Sequence, residues 1–167
     1  FTTWIFLAER MDMKGRCTCG QLQYRLLDRP MFTHCCHCSW CQRETGSAFA
    51  LNALIERDRL EVKGDVEYVG LPSASGKGQE VARCPSCKVA VWSHYAGSGR
   101  LSAFVRVGTL EDPAGCPPDV HIYTSTKLPW VVLDGPTPVF SGYYDARTLW
   151  PAEAQARFRA MRARASG

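Results

Sequence analysis

Nine cysteines are spread over 167 residues, and eight of them fall in three close groups. These are Cys17-Thr-Cys19, Cys35-Cys36-His37-Cys38-Ser-Trp-Cys41 and Cys84-Pro-Ser-Cys87. An odd count without a secretory pattern suits a disulfide framework badly, whereas clustered thiols in a reducing compartment serve metal binding or redox chemistry. In an extended segment, residues i and i+2 project to the same face. A C-x-C pair and a C-x-x-C turn can each therefore offer two sulfurs to one ion. Cys17, Cys19, Cys84 and Cys87 together make a closed four-sulfur zinc site, clamping the N-terminal strand to the middle of the chain. Cys36 and Cys38 share a face, and Cys41 returns to it after the Ser-Trp turn. Cys35, next to Cys36, should point the other way. Three protein ligands with a place left open are the pattern of a catalytic zinc, and four that of a structural one. Two other arrangements use the same residues. His34, His37, Cys35 or His121 fills the fourth place, or Cys35 and Cys38 join Cys84 and Cys87 in a ribbon that leaves out Cys17 and Cys19. Cys116 stands alone in a proline-rich loop and reads as an ordinary thiol.

The elements that must position these groups are mostly strands. Residues 21–26, 47–55, 60–64, 66–70, 89–95, 101–110 and 120–125 are rich in β-branched and aromatic side chains, and most are separated by turn residues. LPSASGKGQ (71–79) is a flexible connection without the spacing of a phosphate loop. A short helical turn is expected after Cys41, through QRET to Gly46. A longer helix follows Pro151, where AEAQARFRAMRARA is rich in strong helix formers. The expected fold is mainly β, antiparallel, with a C-terminal α-helix. Residues 1–12 are expected to be an N-terminal extension, 13–145 the zinc-binding domain and 146–167 a basic helix.

Net charge is +4. From Asp145 onward, Arg147, Arg157, Arg159, Arg162 and Arg164 stand against Asp145 and Glu153, which gives +3 and leaves +1 for the rest. A nearly neutral body argues against a broad nucleic-acid-binding face. The longest apolar runs, WIFLA (4–8) and PWVVL (129–133), are far shorter than the roughly 18 residues of a membrane span. WIFLA also lacks the flanks of a signal peptide. A cytoplasmic protein is expected.

At its cysteine motifs the sequence resembles the glutathione-dependent formaldehyde-activating enzyme family, which includes centromere protein V-like proteins. The resemblance runs through GRCTCGQLQY (15–24), CHCSWCQRETGSAF (36–49), CPSC (84–87) and HIYTSTKLPWVVLDGPTPVF (121–140). It implies a β-tent fold with antiparallel sheets around two zinc sites. Cys17, Cys19, Cys84 and Cys87 match the structural ligands, and Cys36, Cys38 and Cys41 the catalytic ones. The family usually carries glycine directly after the C-x-x-C, where this chain has Lys88-Val89, and Cys35 lies outside the family pattern.

The resemblance further implies reversible addition of glutathione, or another thiol, to formaldehyde or another small aldehyde, and in reverse a carbon–sulfur lyase. A free thiol has a pKa near ~8.5, and coordination deprotonates it. Three cysteinates already bring a zinc centre to a formal −1, a poor Lewis acid toward water that keeps a bound sulfur nucleophilic. His37, the Ser47 hydroxyl or a water is the candidate proton donor. Arg43, Lys127 and Trp130 are candidate glutathione contacts, and Trp40 a shield for the metal or a core residue. A non-catalytic zinc module that binds a macromolecule, or an enzyme of the same fold using another thiol, fits the same motifs.

Overall fold

The computed structural model describes residues 13–165; the expected extension at 1–12 lies outside the described residues. Ten strands make two sheets. A small antiparallel sheet joins β1 (Met13–Arg16), β2 (Gln23–Leu26) and β5 (Leu60–Lys63) in the order β1-β2-β5. The large sheet contains β3 (Phe32–Cys36), β4 (Ala50–Glu56), β6 (Glu67–Leu71), β7 (Gln79–Arg83), β8 (Ala90–Tyr95), β9 (Ser102–Arg106) and β10 (Val120–Ile122). Its order is β10-β3-β4-β9-β8-β7-β6. Every pairing is antiparallel except β10 with β3, which run parallel with His121 beside Cys35. Among the described residues the α-helices are α1 (Ser39–Thr45), α2 (Ala146–Leu149) and α3 (Ala152–Arg164). Among the described residues no helix is long and apolar enough to cross a membrane.

Alternation along the large sheet sorts its side chains into two cores. Ala53 and Ile55 of β4 pack with Leu22, Tyr24 and Leu26 of the small sheet, in a cluster that includes Trp92. Leu54, between them, packs instead with Phe32, Trp150, Ala154 and Met161. The layers are thus small sheet, large sheet and C-terminal helices. Strand β3 lies between β4 and β10, so all five of its residues are buried. That explains why FTHCC carries no polar–apolar alternation and is hard to read as a strand.

The C-terminal helix is tied to the sheet by Arg157. Its guanidinium donates to both carboxylate oxygens of Glu56, at 2.9 and 2.6 Å, and Glu56 is 1% exposed. Burial raises the Glu56 carboxyl, but the hydrogen bond from Arg157 and the charges of Arg157 and Arg59 hold it below its ordinary 4.5. An Arg157→Ala substitution leaves that carboxylate buried without its main partner, an effect of about 3–5 kcal/mol. Urea denaturation at pH 7 should show the loss. Because the folded-state pKa is depressed, the contribution is complete above about pH 4.5 and is lost as the pH falls below it. The stability difference between Arg157→Ala and the parent protein should therefore shrink in acid.

Candidate metal centres

The turn after β1 and the turn between β7 and β8 bring two cysteine pairs together. Cys17 Sγ lies 3.5 Å from Cys19 Sγ, and Cys19 Sγ lies 3.7 Å from Cys84 Sγ. The four sulfurs of Cys17, Cys19, Cys84 and Cys87 all lie within 4.8 Å of one another. Tetrahedral zinc with bonds of about 2.3 Å needs sulfurs about 3.8 Å apart, so this set fits the ion. The four are free thiols, and Cys17 and Cys84 are buried. The Leu22 N–H donates to Cys17 Sγ at 3.3 Å, fixing one sulfur from the backbone. The ribbon arrangement, which would have paired Cys84 and Cys87 with Cys35 and Cys38, does not form.

Lys88, immediately after this C-x-x-C, has φ +63°. Its N–H donates to Cys84 O at 2.9 Å, closing the turn, and its ammonium pairs with Glu67 at the surface. A side chain in the left-handed region costs about 1–2 kcal/mol, which glycine avoids. The exposed ion pair offsets little of that. Lys88→Gly is expected to raise the thermal midpoint by about 2–4 °C, measured on the metal-loaded protein. A fall would mean that the ion pair outweighs the backbone strain.

The second cluster is built by β3 and α1. Cys36 and Cys38 share a face by alternation, and Cys38 caps α1, its Sγ accepting the Cys41 N–H at 3.3 Å. Cys41 follows within the first turn. Gly46, at φ +66°, ends the helix where the sequence placed its stop. Glu44 anchors α1 to the sheet, accepting from Arg106 at 2.5 Å and from Arg83 at 3.3 Å, with Arg106 itself almost fully buried. The sulfurs of Cys36, Cys38 and Cys41 lie within 4.8 Å of one another. Hydrogen bonds with Cys36 and Cys41 drive the Cys38 thiol far below its ordinary range, sharing with Cys38 pushes Cys36 up to about 12, and sharing with Cys36 and then Cys38 pushes Cys41 up. Three adjacent thiols cannot all ionise unaided, and a divalent cation resolves that conflict. The donor set fits zinc.

Among the described residues no other histidine, cysteine or carboxylate joins this trio. His34 is committed elsewhere. Its Nε2 lies 2.6 Å from the Tyr144 hydroxyl, which also accepts from Trp150 Nε1 at 2.6 Å. Burial pushes His34 down to about 4, leaving it neutral. Cys35, His37 and His121 stand on the opposite face of β3 and group with one another. All three sulfurs border a cavity of ≈ 730 Å³, walled by the large sheet, residues 73–79 and the C-terminal helices. Trp40 sits on its rim, 43% exposed, and so is no core residue.

Several residues expected at this site lie elsewhere. Arg43 and Ser47 are exposed and do not line the cavity. Lys127 turns its ammonium onto the carbonyls of Leu128 and Val131, at 3.1 and 2.5 Å. Trp130 is 71% exposed, away from the cavity. His37 faces away from the three sulfurs. Cys116 is a buried thiol 3.3 Å from the Thr33 hydroxyl. The residues that do wall the cavity include Lys77, Tyr95, Phe104, Tyr123, Trp150 and Arg159. Tyr123 is distinctive, because its backbone is left-handed (φ +53°), held by an N–H bond to Gly142 O at 2.9 Å. Burial, and then the charges of Cys36, Cys38 and Cys41, raise its phenol above the ordinary value, so the hydroxyl keeps its proton. No local pattern in HIYTS signals this backbone conformation.

A family model described as glutathione-dependent formaldehyde-activating enzyme matches residues 12–126, including all seven cysteines of the two clusters. A crystal structure of a Rhodobacter sphaeroides protein resembles this one at a TM-score of 0.43, with 18% identity over 76% of this chain and 99% of the other. No curated protein matches the chain.

Proposed function

The chain belongs to the glutathione-dependent formaldehyde-activating enzyme family, and from that premise we propose that it is a zinc-dependent carbon–sulfur lyase. In this reading it reversibly joins a thiol to a small aldehyde at the cluster of Cys36, Cys38 and Cys41. One observation carries the proposal: three cysteines, with no fourth protein donor among the described residues, face a cavity large enough for an organic substrate. Cys17, Cys19, Cys84 and Cys87 would hold a second, structural zinc. The catalytic zinc, when bound, supplies a place where a substrate thiol stays deprotonated at neutral pH. The substrate sulfur, its proton having passed to solvent, would attack the carbonyl carbon. As the C–S bond forms, the carbonyl π pair moves to oxygen, which must take up a proton. Tyr95, Tyr123 and Tyr143 all bring raised, protonated phenols to the cavity wall; of these Tyr123 feels the charge of all three cysteines, and we assign it that donor role in place of His37 and Ser47.

The cavity wall also favours one variant of this reading. Leu54, Tyr95, Phe104, Ile122, Trp150 and Phe158 make most of it apolar, while Lys77, Arg147 and Arg159 are its cationic groups. A thiol or aldehyde with a bulky apolar portion and an anionic end suits that wall better than formaldehyde with glutathione alone.

Exchange NMR tests the proposal on reduced, zinc-loaded protein, by following interconversion of free thiol and hydroxyalkyl thiol. Glutathione with formaldehyde is compared with an aromatic thiol and an aromatic aldehyde. Acceleration of either exchange supports the proposal, and the preferred pair identifies the variant. No acceleration with any pair would reduce the protein to a non-catalytic zinc module. Tyr123→Phe is expected to lower kcat by about 10²-fold or more, with KM and metal content nearly unchanged. An unaltered kcat would remove Tyr123 from the mechanism.

A further inference from the structure

Cys35, His37 and His121 take no part in the chemistry above, yet the fold brings them together. Alternation along β3 and the segment after it sends Cys35 and His37 to the face opposite Cys36 and Cys38. The parallel pairing with β10 then sets His121 directly beside Cys35. We propose that these three residues form a further metal site, which binds a zinc ion through Cys35 Sγ, His37 Nε2 and His121 Nδ1.

The distances suit the ion. His37 Nε2 lies 3.0 Å from His121 Nδ1 and 3.5 Å from Cys35 Sγ, and all three atoms lie within 4.8 Å of one another. Zinc with bonds of about 2.0–2.1 Å to nitrogen and 2.3 Å to sulfur sets tetrahedral N···N and N···S separations of about 3.4 and 3.6 Å. Hydrogen bonding alone accounts for the cluster poorly. If His37 Nε2 carries a proton, it can donate that proton to His121 but leaves the Cys35 thiol without an acceptor. If it is bare, Cys35 S–H and His121 N–H compete for a single lone pair. One cation at the point of convergence engages all three lone pairs at once.

The donors are also held in place. The Cys35 backbone lies within the ladder between Leu51 and His121. The His37 N–H donates to Ile122 O at 2.9 Å, and its carbonyl accepts from Gln42 Nε2 at 2.9 Å and Thr126 Oγ1 at 3.1 Å. The His121 N–H donates to Pro138 O and its carbonyl accepts from the Phe140 N–H, both at 2.9 Å. Cys35 and His37 are buried, whereas His121 is partly exposed and gives an ion a way in and a water a fourth position.

One feature sets the strength of the site. His37 Nδ1 is buried with no hydrogen-bond partner. Coordination through Nε2 puts the imidazole proton on that atom, where a metal-bound histidine ordinarily meets an acceptor. Lack of that outer partner typically weakens metal binding by about 10–100-fold. This ion should therefore be the first of those bound to leave.

Metal content tests the site independently of any enzymatic activity, since the reading depends on a difference between proteins and not on an absolute count. Reduced wild type, Cys35→Ala and His121→Phe are loaded with excess zinc, freed of unbound metal by gel filtration and analysed. The wild type should retain one zinc per chain more than either variant. On titration with a chelator, the first equivalent lost from the wild type should be missing from both. Cobalt-loaded Cys35→Ala should also lose part of the thiolate-to-cobalt absorption. Equal zinc content in all three proteins would overturn the proposal. Should the variants fail to fold, anomalous scattering at the zinc edge from crystals of the zinc-loaded wild type decides: a peak between the three donors supports the site, and its absence overturns it.

Discussion

A Cys41→Ser variant is expected to fold, to lose one zinc per chain and to lose at least about 10³-fold in turnover of the thiol–aldehyde exchange. Cys41 lies on α1, outside both sheets, and is only half buried. The helix is held by Glu44 through Arg106 and Arg83, not by the sulfur. Far-UV circular dichroism should therefore stay as in the wild type. The size of the kinetic loss follows from the role proposed for the metal. Charge stabilisation by a bound ion supplies several kcal/mol, and each 1.36 kcal/mol is tenfold in rate. A serine hydroxyl at this position replaces a charged sulfur with a neutral oxygen, and two cysteines hold zinc poorly. Metal analysis and the exchange assay should change together. Full activity with the metal retained would mean that the three-cysteine cluster is not the reactive centre.

The corresponding change in the other cluster, Cys84→Ser, is expected to act on the fold. Cys84 is fully buried, and its partners join the turn after β1 to the turn between β7 and β8. Structural zinc contributes about 10–16 kcal/mol of binding free energy in zinc-finger peptides. The stability of a whole domain is only about 5–15 kcal/mol. Losing even a large fraction of the metal term exceeds that margin. The variant should give no cooperative thermal transition and should expose the cluster around Trp92, read as a red shift in tryptophan fluorescence. A cooperative transition near the wild-type midpoint would show that these four cysteines do not hold the domain together. Together the two variants separate the clusters: one loses activity with the fold intact, the other loses the fold.

The cysteine partition was legible because it depends on short-range geometry. The i, i+2 alternation separates Cys35 from Cys36, and a single helical turn returns Cys41 to the face of Cys38. The mainly β fold and the C-terminal helix were legible for the same reason. Strand β3 was not, since burial on both faces removes the alternation that marks a strand, and its parallel partner β10 comes from far along the chain, with His121 paired to Cys35. The cavity wall was hidden too. Arg43, Lys127 and Trp130 stand near the motifs in sequence, whereas Lys77 and Arg159 reach the cavity from distant segments that carry no motif. Nor does a side-chain type announce a left-handed backbone, so Tyr123 looked like one more strand residue. At Lys88 the reverse holds: the resemblance leads one to expect glycine there, and this chain adopts a positive φ with a lysine.

The positions of the cavity walls along the chain have a consequence for how such proteins diversify. The cysteines of the two candidate metal centres all lie within residues 12–126, the segment that places the chain in its family. Tyr143, Arg147, Trp150, Phe158 and Arg159, which close the cavity over one cluster, all come after it. The clustered cysteines and one side of the cavity wall thus fall in consecutive stretches of the chain, although Lys77, Tyr95 and Phe104 add to the wall from within the first. Exchanging the last forty or so residues between relatives could re-tailor which molecule is admitted without disturbing the atoms that act on it, provided that the graft keeps an arginine to meet Glu56.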